Sequence, residues 1–308
     1  EATPTPTVVS LSSSTSSSIP ASVNPTSASS TGASVNANAV TAATTYTATA
    51  TAGNGCTATG TTSIAVNPLP TGSSSGTTTI CSGATTSIGL SSSISGSTFT
   101  WTATGSSANV SGYTTAGAGT IGDVLTNSGS AIETVTYVIT PIGPAPTFCA
   151  GTPVNFVVTV NPSPVVDPVA NQTICNNSAT AAINFTSATA GANFSWVNSD
   201  ATIGLVVGGV GNIASFTATN AGTNPVVATI TVTADANGCF GPPLNFTITV
   251  DPTPTITNAT LTQTICSAAN ATFTPTSGVV GATFAYTATG SSANVTGFTA
   301  AGAGNIND

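Results

Sequence analysis

The chain has 308 residues, a formal net charge of −8 at pH 7, and no lysine, arginine or histidine. Neutralisation of phosphates by Lys and Arg supplies most of the affinity for nucleic acid, so we expect no nucleic-acid binding. Hydrophobic residues make up 40% of the chain, and their alternation with Thr and Ser is typical of half-buried strands. No apolar run approaches the ~18 residues of a membrane span, so we expect no direct membrane insertion.

A Pro-x-Pro segment preceded by Asn or Asp occurs three times and divides the chain. Proline fixes φ and lacks an N–H donor, so a sheet must stop there, and two prolines in three residues favour a short, stiff linker. The first prolines of successive linkers are 94 and 90 residues apart, which is the size of a whole domain. The linker prolines are Pro68 and Pro70, Pro162 and Pro164, and Pro252 and Pro254.

These linkers predict four units, at 1–68, 69–162, 163–252 and 253–308. The first unit is a diverged sandwich with a Ser-rich front half. In each complete unit a Thr-Ile-Cys triplet follows the linker, and alternating runs such as 135–140 lead to a cysteine-bearing turn. Asn237-Gly238 between two such runs is typical of a β-hairpin. About seven strands in ~90 residues predict an all-β chain of tandem immunoglobulin-like β-sandwich domains.

Three pairs of aromatic residues lie two positions apart, on one face of a predicted strand. We predict that these rings are core anchors of the sandwiches, because two large rings on one face fill a small core. A platform on which a carbohydrate stacks is the alternative. The residues are Phe99 and Trp101, Phe194 and Trp196, and Phe284 and Tyr286.

The last unit is predicted to be the N-terminal part of a further repeat. Its segment 287–304 closely repeats 102–119, and by this alignment it lacks the counterpart of 124–160. An incomplete sandwich exposes its core and a sheet edge, so we interpret the unit as truncated. The alternative is an extracellular polymer in which a strand of one subunit completes the last unit of the next.

Six cysteines recur in step with the linkers and predict disulfides in an oxidising compartment. Two connectivities are open. Within a unit, Cys81 would pair with Cys149 and Cys175 with Cys239, which leaves Cys56 and Cys266 unpaired in this chain. Across the linkers, the pairs would be 56–81, 149–175 and 239–266. We favour the first set. A turn should lie a strand length, roughly 25–30 Å, from the following linker, whereas a disulfide needs Cα atoms within about 7 Å.

The sequence contains no recognisable catalytic or metal-binding constellation. Hydrolytic catalysis needs a base beside its nucleophile, and the chain has neither His nor Lys. The 8 acidic residues do not recur in register, which argues against a catalytic carboxylate pair and against a calcium site between domains. We therefore expect a protein that is not an enzyme and that has no cofactor and no metal.

Four segments resemble the PKD-like and Ig-like repeats of very large Bacteroidota cell-surface proteins. They are Thr79 to Gly83, Phe99 to Gly105, Val154 to Pro164 and Asn237 to Pro242. Those proteins include gliding-motility adhesins and surface filaments exported by the type IX secretion system. The resemblance covers residues 69–308 well and 1–68 more loosely.

This resemblance implies tandem PKD-like domains and a secreted, cell-surface location. The function it implies is a non-enzymatic structural stalk of a large adhesin or filament. The implied partners are further repeats of the same long chain, with surface polysaccharide and the secretion or motility machinery as further candidates. A polysaccharide-binding module is the alternative function.

Overall fold

In the computed structural model, residues 8–13, 43–51 and 55–308 are described. They form strands joined by turns, with a single turn of 3₁₀ helix at Ala201–Ile203, so the predicted all-β fold class is confirmed. We use the predicted units as names for the first, second, third and fourth repeats. Most of the Ser-rich front half of the first repeat lies outside the described residues.

The described part of the first repeat is one antiparallel sheet in the order β1-β2-β3. Its strands are β1 (Val8–Ser13), β2 (Thr44–Thr51) and β3 (Thr57–Ile64). β2 and β3 pair along their whole length, and Cys56 directly precedes β3. Every residue of β3 is exposed, so this strand packs no core.

The second repeat is a sandwich. Its large sheet has the order β10-β8-β12-β13-β5, and the smaller sheets β6-β11-β9 and β4-β7 pack against it through a common core. The strands are β4 (Gly72–Gly76), β5 (Thr79–Cys81), β6 (Ala84–Thr85), β7 (Ile88–Ser92), β8 (Thr98–Gly105), β9 (Val110–Ser111), β10 (Ala116–Ala118), β11 (Val124–Asn127), β12 (Glu133–Ile142) and β13 (Val154–Asn161).

The third repeat has the same plan, with a sheet in the order β14-β19-β17-β15-β16 and β18 paired to β17. Its second layer is made of extended segments joined by the bridges Ala179–Thr217 and Ile183–Ile213. The strands are β14 (Gln172–Cys175), β15 (Asn193–Asn198), β16 (Gly208–Val210), β17 (Val226–Ala236), β18 (Cys239–Phe240) and β19 (Leu244–Asp251).

The long strands are two-faced because apolar side chains alternate with polar ones along them. In β12, Val135, Tyr137 and Ile139 are fully buried, while the residues between them are half-buried or exposed. In β17, Ile230 and Val232 are fully buried in the same way. Each of the two complete repeats therefore has its own core.

The aromatic residues predicted as anchors differ in burial. Trp101 and Trp196 are 6% and 7% exposed and belong to the two cores. Trp101 lies opposite Gly117 of β10, where an added Cβ would come within 2.5 Å of its ring, so a glycine is required there. Four rings are half-buried: Phe99, Phe194, Phe284 and Tyr286.

The fourth repeat has two small sheets, β20-β23 and β21-β22. Its strands are β20 (Thr272–Phe273), β21 (Ala285–Thr287), β22 (Ala301–Ala303) and β23 (Ile306–Asn307). Tyr286 lies opposite Gly302 as Trp101 lies opposite Gly117, so this part repeats the β8–β10 pair. None of the residues 253–308 is buried.

Candidate functional site at the interdomain junction

In each complete repeat the first cysteine-bearing strand runs parallel to the last strand. β5 pairs with β13 so that Cys81 lies opposite Asn161, and β14 pairs with β19 so that Cys175 lies opposite Asp251. Since β13 and β19 lead into the linkers, both cysteines lie at the end of the sandwich that faces the next repeat. We call this end the C-terminal pole.

The other cysteine of each repeat lies in the connection between the two long strands, β12 and β13 or β17 and β19, at the opposite end of the sandwich, which we call the N-terminal pole. In the third repeat Asn237 and Gly238, at φ 51° and 77°, form the two-residue turn between β17 and β18. This is the geometry that an Asn-Gly hairpin favours, and Cys239 follows it directly.

The first and second linkers each pack tightly against the hairpin of the repeat that they lead into. A Cβ added at Gly241 would lie 1.6 Å from the carbonyl oxygen of Pro164, and one at Gly151 would lie 1.8 Å from that of Pro70. Such approaches leave room only for glycine. Pro70 and Pro164 are buried accordingly, whereas Pro254 of the third linker is exposed.

A disulfide joins the second and third repeats beside their linker. It connects Cys81 to Cys239, with Cα atoms 5.6 Å apart and a sequence separation of 158 residues. Next to it, Nδ2 of Asn161 donates a hydrogen bond of 3.2 Å to the carbonyl oxygen of Asn237. The C-terminal pole of one sandwich is thus fixed covalently to the N-terminal pole of the next.

The predicted pairs Cys81–Cys149 and Cys175–Cys239 are therefore wrong. Parallel pairing of the first and last strands sends the two cysteines of one repeat to opposite poles, about a strand length apart. The same pairing brings Cys81 to the linker, where the turn of the following repeat lies. The across-linker pairs 56–81 and 239–266 are wrong as well, because Cys81 and Cys239 are bonded to each other.

A buried asparagine holds the last strand at each C-terminal pole. Nδ2 of Asn127 donates to the carbonyl oxygen of Val160 at 2.9 Å, and Nδ2 of Asn220 donates to that of Val250 at 2.7 Å. Each amide oxygen also accepts from the N–H two residues further on, at 2.9 Å. These two asparagines were not predicted from the sequence. Their signal is an Asn-x-Gly triplet that recurs 93 residues apart, in step with the linkers.

The residue before the first linker proline makes a second kind of junction contact. Nδ2 of Asn67 donates to Oγ1 of Thr147 at 2.6 Å across the first junction, as Asn161 does to Asn237 across the second. The third linker has Asp251 at this position. An ionised carboxylate has no hydrogen to donate, so this bond is not available there.

Glu133 lies opposite Val160 in the β12–β13 ladder and is only 8% exposed. The hydroxyl of Ser106 donates to its carboxylate. Hydrogen bonds from Ser106 and Ser107 hold the pKa of this carboxyl below its ordinary value of 4.5. The ionised form is therefore favoured by folding of the second repeat.

This lowered pKa gives the second repeat an acid-dependent stability. The contribution of Glu133 is fully present above pH 4.5, its unfolded value, and is lost as the pH falls through the lower folded pKa. We expect the melting temperature of the native chain to fall more steeply below pH 4.5 than that of Glu133→Gln. Thermal unfolding at a series of pH values in a Trp196→Phe background, where Trp101 is the sole indole, measures this. Melting temperatures that fall equally with pH in the two proteins would contradict this expectation.

The cysteines differ in their expected reactivity. Cys149 is half-buried, Cys175 and Cys266 are exposed, and none of these three holds a disulfide in the part of the chain that the structure describes. We expect iodoacetamide to alkylate Cys175 and Cys266 in the native chain, and Cys81 and Cys239 only after reduction. Peptide mass spectrometry before and after reduction tests this. Modification of Cys81 without reduction would contradict the bridge.

Within residues 8–13, 43–51 and 55–308, no group of three or more His, Cys, Asp or Glu side chains is placed to hold a metal ion. The same ranges contain no helix long and apolar enough to cross a membrane.

The repeated sandwiches and their shared junction define a tandem array of β-domains. The chain matches the PKD-like domain family over residues 78–164 and 172–254, which is more than half of its length. It therefore belongs to the PKD-like domain family. No curated protein matches it.

Three solved structures show low sequence identity to the chain. Mouse cadherin-23 EC22-24 is 13% identical, with a TM-score of 0.30, over 61% of this chain and 68% of that one. The protocadherin GammaB4 extracellular domain is 12% identical, with a TM-score of 0.30, over 97% of this chain and 55% of that one. The human desmocollin-1 ectodomain is 12% identical, with a TM-score of 0.24, over 87% and 59%. All three similarities are distant.

Proposed function

We propose that this chain is a non-enzymatic structural stalk segment of a large extracellular cell-surface adhesin or filament. The observation that carries the proposal is the junction of the second and third repeats, where a tight linker, a disulfide and an Asn amide hold two sandwiches pole to pole. A junction that fixes two domains end to end in this way suits an extended stalk. A disulfide between domains also suits an oxidising compartment outside the cell.

The resemblance of the repeat motifs to Bacteroidota surface repeats supports a more specific proposal. We assign the chain to the gliding-motility type of adhesin, exported by the type IX secretion system. Further repeats of the same long chain are its immediate partners. Its detection on intact cells by antibody, and its loss from the surface when that secretion system is inactivated, would support this assignment. Surface display that persists without the system would overturn it.

The buried indoles count against a polysaccharide-binding module. Stacking needs an exposed ring face, and Trp101 and Trp196 are 6% and 7% exposed. We expect tryptophan emission typical of a buried indole, unquenched by added polysaccharide. Quenching that saturates with the sugar concentration would restore the alternative.

Electron microscopy of the protein as it leaves the cell tests the stalk proposal. A stalk should appear as single thin rods with bead-like domains about 30–40 Å apart, the length of one sandwich. Compact particles without a rod would contradict the proposal. Ordered filaments with a subunit repeat of three or four beads would favour the strand-completed polymer instead.

A further inference from the structure

The disulfide encloses most of two domains in a covalent loop. Cys81 lies near the start of the second repeat and Cys239 near the end of the third, 158 residues later. The loop therefore contains residues 82–238, which include β6 to β17 and the linker prolines Pro162 and Pro164. Outside it lie only β4 and β5 on one side, and β18 and β19 on the other.

The bridge also lies where tension would cross the junction. A pull on the two ends of the chain runs along β5 to Cys81 at the C-terminal pole of the second repeat. It then crosses 5.6 Å to Cys239 and continues along β19 to the C-terminal pole of the third repeat. The path through the disulfide is far shorter than the path along the 157 residues of the loop, so the loop carries no tension.

From this connectivity we infer that the Cys81–Cys239 disulfide is a mechanical bypass, which carries tension past residues 82–238 and prevents that segment of the second and third repeats from being extended. The linker between the two repeats bears no obligatory load, because it lies inside the loop. Non-covalent sandwiches unfold when force separates their strands. Here force can extend only the flanking segments, such as 70–80 and 240–252, while the bridge is intact.

The geometry of the flanking strands supports this assignment. β19 lies in the middle of its sheet, paired with β14 on one side and β17 on the other, so its removal must break two ladders. The linker makes its own contact with the third repeat, where Pro164 packs against Gly241. The bridge therefore joins a well-anchored strand directly to the preceding domain. This inference rests on the proposed stalk function only for the origin of the tension.

The bypass predicts how much contour length force can extend while the disulfide is intact. An extended chain spans at most ~3.3–3.6 Å per residue, so the closed loop withholds roughly 520–570 Å of contour length. A native chain pulled until all domains yield should be shorter than the reduced chain by about this amount. The difference depends on the position of the two cysteines and not on the stability of either domain.

Optical tweezers test the inference with the full chain held by short tags at its two ends, so that the cysteines remain unmodified. We expect about 550 Å of additional contour length in two cases. It should appear in the native chain once tris(2-carboxyethyl)phosphine is added to the folded protein, and in Cys239→Ser without reductant. Cys149→Ser is the matched control and should behave as the native chain. Equal contour lengths before and after reduction would overturn the bypass. The proposed stalk function is judged separately, by microscopy and surface detection.

Discussion

We expect trypsin to cleave the Ala170→Arg variant at one peptide bond, and its two products to stay joined until the disulfide is reduced. The chain has no Lys or Arg, so the substitution creates its sole cleavage site. Ala170 is exposed and lies in the irregular segment 162–171 that precedes β14. The cut falls between Cys81 and Cys239, so their bridge should hold the fragments 1–170 and 171–308 together.

Denaturing gel electrophoresis with and without reductant measures this result. We expect one band at the mass of the intact chain without reductant and two bands with it. The within-unit pairs 81–149 and 175–239 would instead give two bands in both lanes, because neither pair crosses position 170.

Three matched variants isolate the bridge. Leu261→Arg places the cut outside the loop, at a side chain that is 70% exposed, and should give two fragments with or without reductant. Ala170→Arg combined with Cys149→Ser should remain joined, whereas the combination with Cys81→Ser should fall apart. The opposite behaviour of these two would assign the bridge to Cys149 and Cys175.

Trp101→Ala should destabilise the second repeat by about 3–5 kcal/mol, the usual cost of removing a buried aromatic side chain. The ring is 6% exposed, packs edge-on against Tyr137 at 5.8 Å, and lies against Gly117. Nothing nearby is able to fill the space, because the neighbouring strands are held by continuous ladders on both sides of β8. A loss of this size is a large part of the 5–15 kcal/mol that holds a typical domain together.

Denaturant unfolding followed by circular dichroism measures the loss, and the remaining Trp196 reports the third repeat by fluorescence. Val157→Ala on β13 of the same sheet is the control, since Val157 is 44% exposed and should cost little. A loss below ~1 kcal/mol for Trp101→Ala would mean that the indole is not a core anchor.

The elements that were predicted well from the sequence are those whose conformation is determined by neighbouring residues in the chain. Alternation along 135–140 predicted the two-faced strand β12, and Asn237-Gly238 predicted the turn before Cys239. The linker prolines mark where the sheets stop, because proline cannot donate to a ladder. The indoles were expected in the core from their period-two spacing with Phe99 and Phe194, and the structure places both indoles there.

The disulfide depends on information that is not local. The order of Thr-Ile-Cys and the final strand in the sequence does not say whether they pair, or in which direction. Parallel pairing of Cys81 with Asn161 decides which pole the cysteine occupies. As expected, the turn before Cys239 lies a strand length from the following linker, but it lies beside the preceding linker, where Cys81 is. The Asn127 and Asn220 contacts were missed for a similar reason, since their acceptors lie 33 and 30 residues away.

The pairing of Asn161 with Cys81 in the β5–β13 ladder affects the stability of the third repeat. While the second repeat is folded, residue 161 and Cys239 are held close together, so an unfolded third repeat is a ring and not an open chain. Closing a ring of this size lowers the entropy of the unfolded state and favours folding by roughly 4–5 kcal/mol in the chain-entropy model. That stabilisation disappears when the second repeat melts. The third repeat thus owes part of its stability to the second, and because such coupling is reciprocal the second owes the same amount to the third, so melting of either repeat should lower the stability of the other.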